Sequence, residues 1–373
     1  ASEDKRFDTA NKDVTDIGLK IGKIMSALIP LMTIVMSFTS LSIVLIASFS
    51  VDKGLKAGTM DFTRLGNMMA VIQYVMQIMI SIIMLSMIFI MVPKASVSAQ
   101  RIGEVIDLEP DIVSPENPIE VPRNGAVEFE NVSFAFSEKS KNVVDNISFS
   151  ANKGTVTAIV GGTGSGKSTL INLIPRLYDS TQGKVKLDGV DVKDFSLSEL
   201  RSRIGFITQK AVLFSGTIKE NILYGAKDDK NLELAAQISQ SEAFIKEKEG
   251  YDAEVEQGGG NFSGGQKQRL SIARAIAKGA DVLIFDDSFS ALDYTTDAKL
   301  RKELKKITKD KTVLIVAQRI GTVMDADKIL VLDEGRLVGE GTHYELLRNC
   351  PVYRELALSQ LTEKELGLEA SNG

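Results

Sequence analysis

The densest chemical signal in this 373-residue sequence is Gly161, Gly162, Thr163, Gly164, Ser165, Gly166, Lys167, Ser168 and Thr169 in unbroken succession. The run fits G-x-x-x-x-G-K-[ST]. Its context fits too: residues 155–160 read as a buried strand and 170–178 as a helix. The glycines let backbone N–H groups wrap phosphate oxygens, and the helix N-terminus adds positive potential. Lys167 is placed to pair with β- and γ-phosphates, and the Ser168 hydroxyl to ligate Mg²⁺. Residues 281–286 form a second apolar strand, whose last residue, Asp286, is placed to hold Mg²⁺ through water.

A third feature lies between them. Ser263, Gly264, Gly265 and Gln266 open a helical stretch over 267–277. A hydroxyl and glycine N–H groups at a helix start make another phosphate cap. In this order and spacing, residues 263–266 resemble the signature motif of ATP-binding cassette (ABC) proteins. The resemblance implies ATP and Mg²⁺ as cofactors. It also implies that one subunit's signature caps ATP held by the other's phosphate loop, so the working unit contains two cassettes. Phe136 matches the aromatic residue that stacks on adenine, where the family more often has Tyr; stacking needs only the ring. Gln209 matches the glutamine that reaches Mg²⁺ and shifts with the membrane domain. Asp293, closing residues 290–293, matches the loop that crosses the dimer interface. Residues 254–258 sit where exporters place a segment touching the partner's membrane helices. His343 matches a surface turn near the family's C-terminus and is assigned no catalytic role.

Two positions depart from the family pattern. The residue after Asp286 is normally Glu, the base that polarises the attacking water; here it is Asp287. Asp is shorter by one methylene, about 1.5 Å of reach, and a misplacement of ~1 Å can cost ~10²-fold in rate. The family also expects His in the loop that contacts the γ-phosphate, where this sequence has Gln318. Gln can hydrogen-bond a phosphate but carries neither a proton nor a positive charge. Both weakenings fall on one site, while the phosphate loop, Asp286 and the signature are intact. The pattern resembles the weak-site subunit of a heterodimeric bacterial exporter.

Residues 127–363 read as the cassette, an α/β P-loop domain with a helical subdomain, and 364–373 as a tail. Residues 110–126, with Pro110, Pro115, Pro118 and Pro122, read as a linker. Residues 1–109 differ in kind. The segments 24–51 and 65–93 contain no charged residue. At 1.5 Å per residue each reaches roughly 42 Å, more than the ~30 Å hydrocarbon layer. The short polar stretch 52–64 joins them into a transmembrane hairpin. Lys20, Lys23, Lys53, Lys56, Lys94 and Arg101 flank every end, so positive charge barely sets orientation. A cytosolic cassette puts residues 52–64 outside. On the second helix Gln73, Gln77 and Ser81 share a face, which reads either as a substrate-lining stripe or as interhelical hydrogen bonding. By resemblance the hairpin is the last two of six helices in an exporter half, with Arg6, Phe7 and Asn11 ending the preceding long helix. The sequence is then N-terminally incomplete, its first four helices missing.

The net charge is −5 with no basic stripe, which argues against nucleic acid as a partner. Cys350 is the one cysteine, so no disulfide can form within this sequence and no Cys-based metal site is expected; a Ser–His or His–metal mechanism would have to rest on the one histidine, His343, whose neighbourhood argues against it. Residues 1–12 are polar and charged, unlike a secretion signal or transit peptide. The expectation is ATP-dependent export of amphipathic compounds, drugs or lipids, by one half of a dimeric transporter. It sits multi-pass in the plasma membrane with its cassette in the cytoplasm, and a heterodimer is preferred over a homodimer. The rivals are an ATP-gated channel or regulator and a slow homodimeric lipid or peptide exporter. The uncharged spans oppose a soluble cassette of DNA repair or translation.

Overall fold

The computed structural model describes residues 2–56, 62–137 and 139–366. The chain divides into two compact units, Ala1–Glu109 and Pro110–Gly373.

The first unit is a pair of helices packed on each other, α1 (Ser2–Lys56) and α2 (Phe62–Ile106). Both overrun the uncharged segments. No proline precedes Pro30, so α1 continues back through the charged residues before Ile24. Arg6, Phe7 and Asn11 therefore belong to the same helix as the apolar segment and do not end a separate one. The stretches long and apolar enough to cross a membrane are Pro30–Lys53 and Gly66–Ile106. Their large side chains face outward; Phe38 and Phe89 are 72% and 73% exposed. Gln73, Gln77 and Ser81 are exposed, and Ser81 Oγ donates to the Gln77 carbonyl at 2.9 Å. Residues 57–61 of the expected outer loop and 367–373 of the expected tail lie outside the described residues.

The second unit runs β1 (Val127–Phe134), β2 (Val144–Ala151), β3 (Val156–Gly161), α3 (Lys167–Asn172), β4 (Gln182–Leu187), β5 (Val190–Asp191), α4 (Leu197–Ser202), β6 (Ile204–Ile207), β7 (Gly216–Thr217), α5 (Ile218–Ile222), α6 (Leu232–Ile238), α7 (Glu242–Glu247), β8 (Glu254–Val255), α8 (Gly264–Ala277), β9 (Val282–Asp286), α9 (Tyr294–Thr308), β10 (Thr312–Val316), α10 (Ile320–Val323), β11 (Lys328–Asp333), β12 (Arg336–Gly341), α11 (His343–Asn349) and α12 (Pro351–Leu358). The main sheet has the order β12-β11-β3-β10-β9-β6, parallel except for β12 at one edge. Its strands are apolar on both faces, as buried parallel strands must be. Alternate residues feed two cores. Ala158, Val160, Leu283 and Phe285 pack with the helices α5, α6, α8 and α9. Ile159, Val282, Ile284 and Leu314 pack with the antiparallel sheet β2-β1-β4-β5 and with α3.

Residues 110–126 are strapped to the cassette. Arg176 Nη1 donates to the Val113 carbonyl at 3.0 Å, Arg203 Nη2 to Val121 at 2.6 Å, and the Ile119 N–H to Asp194 O at 2.9 Å. Arg203 is 3% exposed and also pairs with Asp188 at 3.0 Å. A proline-rich stretch spends few of its own N–H groups, and its carbonyls satisfy these buried guanidiniums. The helix expected over 170–178 stops at Asn172. Pro175 follows, and Arg176 turns left-handed (φ 52°).

Candidate functional site

Four adjacent parallel strands, β3, β10, β9 and β6, deliver the chemistry from their C-terminal ends. β3 leads into the phosphate loop, β10 to Gln318, β9 to Asp286 and Asp287, and β6 to Gln209. Open α/β sheets bind their ligands at this edge.

The phosphate loop closes on α3. Gly166 caps that helix in the left-handed region (φ 93°), and a Cβ there would lie 2.5 Å from the Val143 carbonyl. Only glycine fits both constraints. The Lys167 ammonium folds back onto the loop, donating to the carbonyls of Gly161 at 3.0 Å and Gly162 at 2.7 Å. These acceptors occupy donors that phosphate oxygens would otherwise take. Burial pushes the Lys167 pKa down, and Asp287 and Asp286 push it back up. Ser168 Oγ donates to Asp286 Oδ1 at 2.9 Å, across 118 residues of sequence. Burial raises the Asp286 pKa, the Ser168 bond lowers it, and Asp287 adds to the rise.

Asp287 sits at the focus. Its backbone is left-handed (φ 46°), a strained conformation that Asp tolerates better than most residues. Its N–H donates to the Val316 carbonyl of β10 at 2.9 Å. Its Oδ2 accepts two amide N–H bonds, from Gln209 Nε2 at 3.1 Å and Gln318 Nε2 at 3.0 Å. Two glutamines from the ends of β6 and β10 thus converge on one oxygen of the residue that follows β9.

The signature residues are an N-terminal helix cap. Ser263 Oγ accepts from the Gln266 N–H at 3.3 Å, and Gln266 Oε1 accepts from the Ser263 N–H at 3.0 Å. This capping box leaves Ser263 and Gly264 exposed at the start of α8. Gly265 lies against the Ala291 carbonyl, so the signature and the 290–293 loop adjoin. Asp293 caps α9, accepting from the Thr296 N–H at 2.9 Å. Phe136 is 60% exposed and stands edge-on to Phe134 and Tyr178, with ring centres 5.0 and 5.4 Å away.

Sequence reasoning missed three neighbours. Tyr178 supports the Phe136 ring; an aromatic residue just past the phosphate-loop helix was the available signal. Arg319 Nη2 donates to the Ser290 carbonyl at 3.3 Å, tying the loop after β10 to the loop before α9. Gln360 bonds the backbone of the first of these loops, and nothing local in the sequence signals that. One expectation is corrected. His343 is not on a surface turn: it is 2% exposed, with Nδ1 2.7 Å from the Tyr353 hydroxyl. It opens α11, and Tyr353 of α12 packs against its ring.

The site fits Mg²⁺ of the kind shared with phosphates. Among the described residues no cluster of three His, Cys, Asp or Glu side chains could hold a metal unaided. A hydroxyl and a carboxylate in contact, Ser168 and Asp286, suit an ion that takes its remaining ligands from water and phosphate oxygens.

Residues 144–290 match the family model described as ABC transporter. That stretch, which holds the phosphate loop, the signature and Asp286, is an ABC transporter ATP-binding domain. An uncharacterized ABC transporter ATP-binding protein of Mycobacterium tuberculosis is 37% identical over 98% of this chain and 62% of its own length. An ATP-dependent lipid A-core flippase of Syntrophus aciditrophicus is 35% identical over 99% of this chain and 61% of its own length. The structure of a bacterial Atm1-family ABC exporter with ATP bound superposes with a TM-score of 0.71 at 31% identity, over 87% of this chain and 58% of that one. The chain spans about three-fifths of the length of the curated relatives it matches. The expected fold class, an exporter's apolar helices followed by a P-loop cassette, is borne out, and so is the membrane location.

Proposed function

We propose that this chain is one half of an ATP-driven exporter of drugs or lipids, and that its own nucleotide site binds ATP and hydrolyses it slowly. The observation that carries the reading is Asp287, a short carboxylate held by the neutral amides of Gln209 and Gln318. Lys167 and the loop N–H groups take the β- and γ-phosphates, and Phe136 takes the adenine. Ser168, Asp286 and Gln209 hold Mg²⁺, which supplies charge neutralisation on the phosphates. Asp287 orients the attacking water from short range, and Gln318 contacts the γ-phosphate without adding charge.

The cap at Ser263, Gly264, Gly265 and Gln266, its first two residues exposed, completes the site of a second cassette chain, and Asp293 lies at that junction. A heterodimer in which the partner carries Glu and His is the preferred assembly. ATP then has strong differential affinity for the closed pair, which is what moving the membrane helices requires. The chain sits in the plasma membrane with the cassette in the cytoplasm. The outward apolar surface of α1 and α2 supports a membrane setting, and similarity to a lipid A-core flippase supports an amphipathic cargo.

The test is Asp287→Glu with Gln318→His in the full chain in lipid nanodiscs, following phosphate release and ATP binding together. Hydrolysis is expected to rise about 10²-fold with binding unchanged; no rise sinks the slow-site reading.

A further inference from the structure

The side chain of Gln360, just past α12, pairs with backbone on both sides of Arg319. Its Nε2 donates to the Gln318 carbonyl at 2.9 Å, and its Oε1 accepts from the Ile320 N–H at 2.9 Å. Arg319 is the N-cap of α10 and makes no side-chain cap bond, so Ile320 carries one of the helix's orphan donors. Gln360 satisfies it from 40 residues away. The platform beneath is firm: Ala357 and Leu366, on either side of Gln360, are fully buried, and Tyr353 is pinned to His343. Beside the clamp, Gln318, Arg319, Gln360, Tyr294 and Arg301 line a cavity of about 490 Å³, room into which an unclamped loop could shift.

We infer that Gln360 is a positioning residue that holds the Gln318 backbone so that its amide meets Asp287 and the γ-phosphate. The C-terminal segment thereby sets how well the site tells ATP from ADP. The inference rests on the reading of Gln318 as the residue that contacts the γ-phosphate.

The experiment uses the full chain and calorimetric titration with Mg²⁺ plus either ADP or a non-hydrolysable ATP analogue. Gln360→Met keeps the length and loses both bonds. Gln360→Glu keeps the acceptor for Ile320 and loses the donor. The ratio of the two affinities is expected to fall about tenfold in Gln360→Met, from loss of two ordinary hydrogen bonds. It should fall less in Gln360→Glu, and the ADP affinity should not change in either. Hydrogen exchange at Ile320 should quicken in the Met variant and stay slow in the Glu variant. An unchanged ratio with a lowered melting temperature makes Gln360 merely structural and overturns the inference. Gln318→Ala separates the two levels: if it leaves the ratio untouched, the underlying reading of Gln318 fails. If it collapses the ratio while Gln360→Met does not, only the clamp fails.

Discussion

The side-chain amide of Gln318 donates to Asp287 Oδ2 at 3.0 Å, joining the ends of β10 and β9 at the point where hydrolysis chemistry would occur. A neutral donor there fixes the carboxylate without altering its charge. Asp287→Asn keeps an oxygen that accepts from both glutamines and keeps a residue type that tolerates φ 46°. Folding and ATP binding are expected to survive. Residual phosphate release at this site should drop by about 10²–10⁴-fold, read by single-turnover assay against binding by calorimetry.

Asp286 is a buried carboxylate whose pKa is raised, by burial first. The folded, nucleotide-free protein therefore holds its proton to higher pH than the unfolded chain does. This contribution favours folding below the ordinary value of 3.8 and is lost as pH rises through the elevated folded pKa. At neutral pH the charge is a cost. Asp286→Asn should melt higher than the parent without nucleotide, and should lose the extra stability that ATP gains from Mg²⁺. Thermal shift with and without Mg²⁺ checks both.

Gly166→Ala meets two obstacles, a left-handed backbone and the Val143 carbonyl. The first alone costs about 1–2 kcal/mol. Denaturant unfolding should show a loss of at least about 2 kcal/mol, and nucleotide binding should be abolished even where the protein folds.

Ser263 has two duties that substitution can separate. Ser263→Ala removes half of the capping box and should cost about 1 kcal/mol of stability. Ser263→Asp keeps a cap acceptor and should restore that stability. It places a negative charge where the proposed second ATP would sit, so ATP-induced pairing of cassettes should stay blocked, as read by light scattering.

Burial lowers the His343 pKa from its ordinary 6.5. The unfolded chain then binds a proton that the folded chain refuses. Stability is full above about pH 6.5 and falls as pH drops through the window down to the lowered folded value. The melting temperature should decline between pH 7.5 and 5.5, and less so in His343→Gln.

The elements around the three motif runs were legible because the chemistry expected of each run demands fixed residue types beside a strand end or a helix start. β3, β9 and α8 then appear where those runs require them. The meeting of Gln209, Asp287 and Gln318 was not legible, since it depends on β6, β9 and β10 lying side by side, which spacing along the chain does not encode. The Arg176 and Arg203 contacts with residues 113 and 121 were hidden because guanidiniums bond to carbonyls that every residue type possesses. His343 was misplaced for a similar reason: its burial comes with the packing of Tyr353 from α12, which the turn sequence around it does not encode.

The bent backbone at Asp287 sets a bargain between endurance and speed. Glutamate is the residue the family pattern has there, yet it takes that torsion less readily than aspartate does. The exchange that quickens turnover should therefore also make the cassette more heat-labile. On the slow-site reading proposed above, a subunit that keeps aspartate there would trade rapid firing for a durable, slowly resetting grip on its nucleotide.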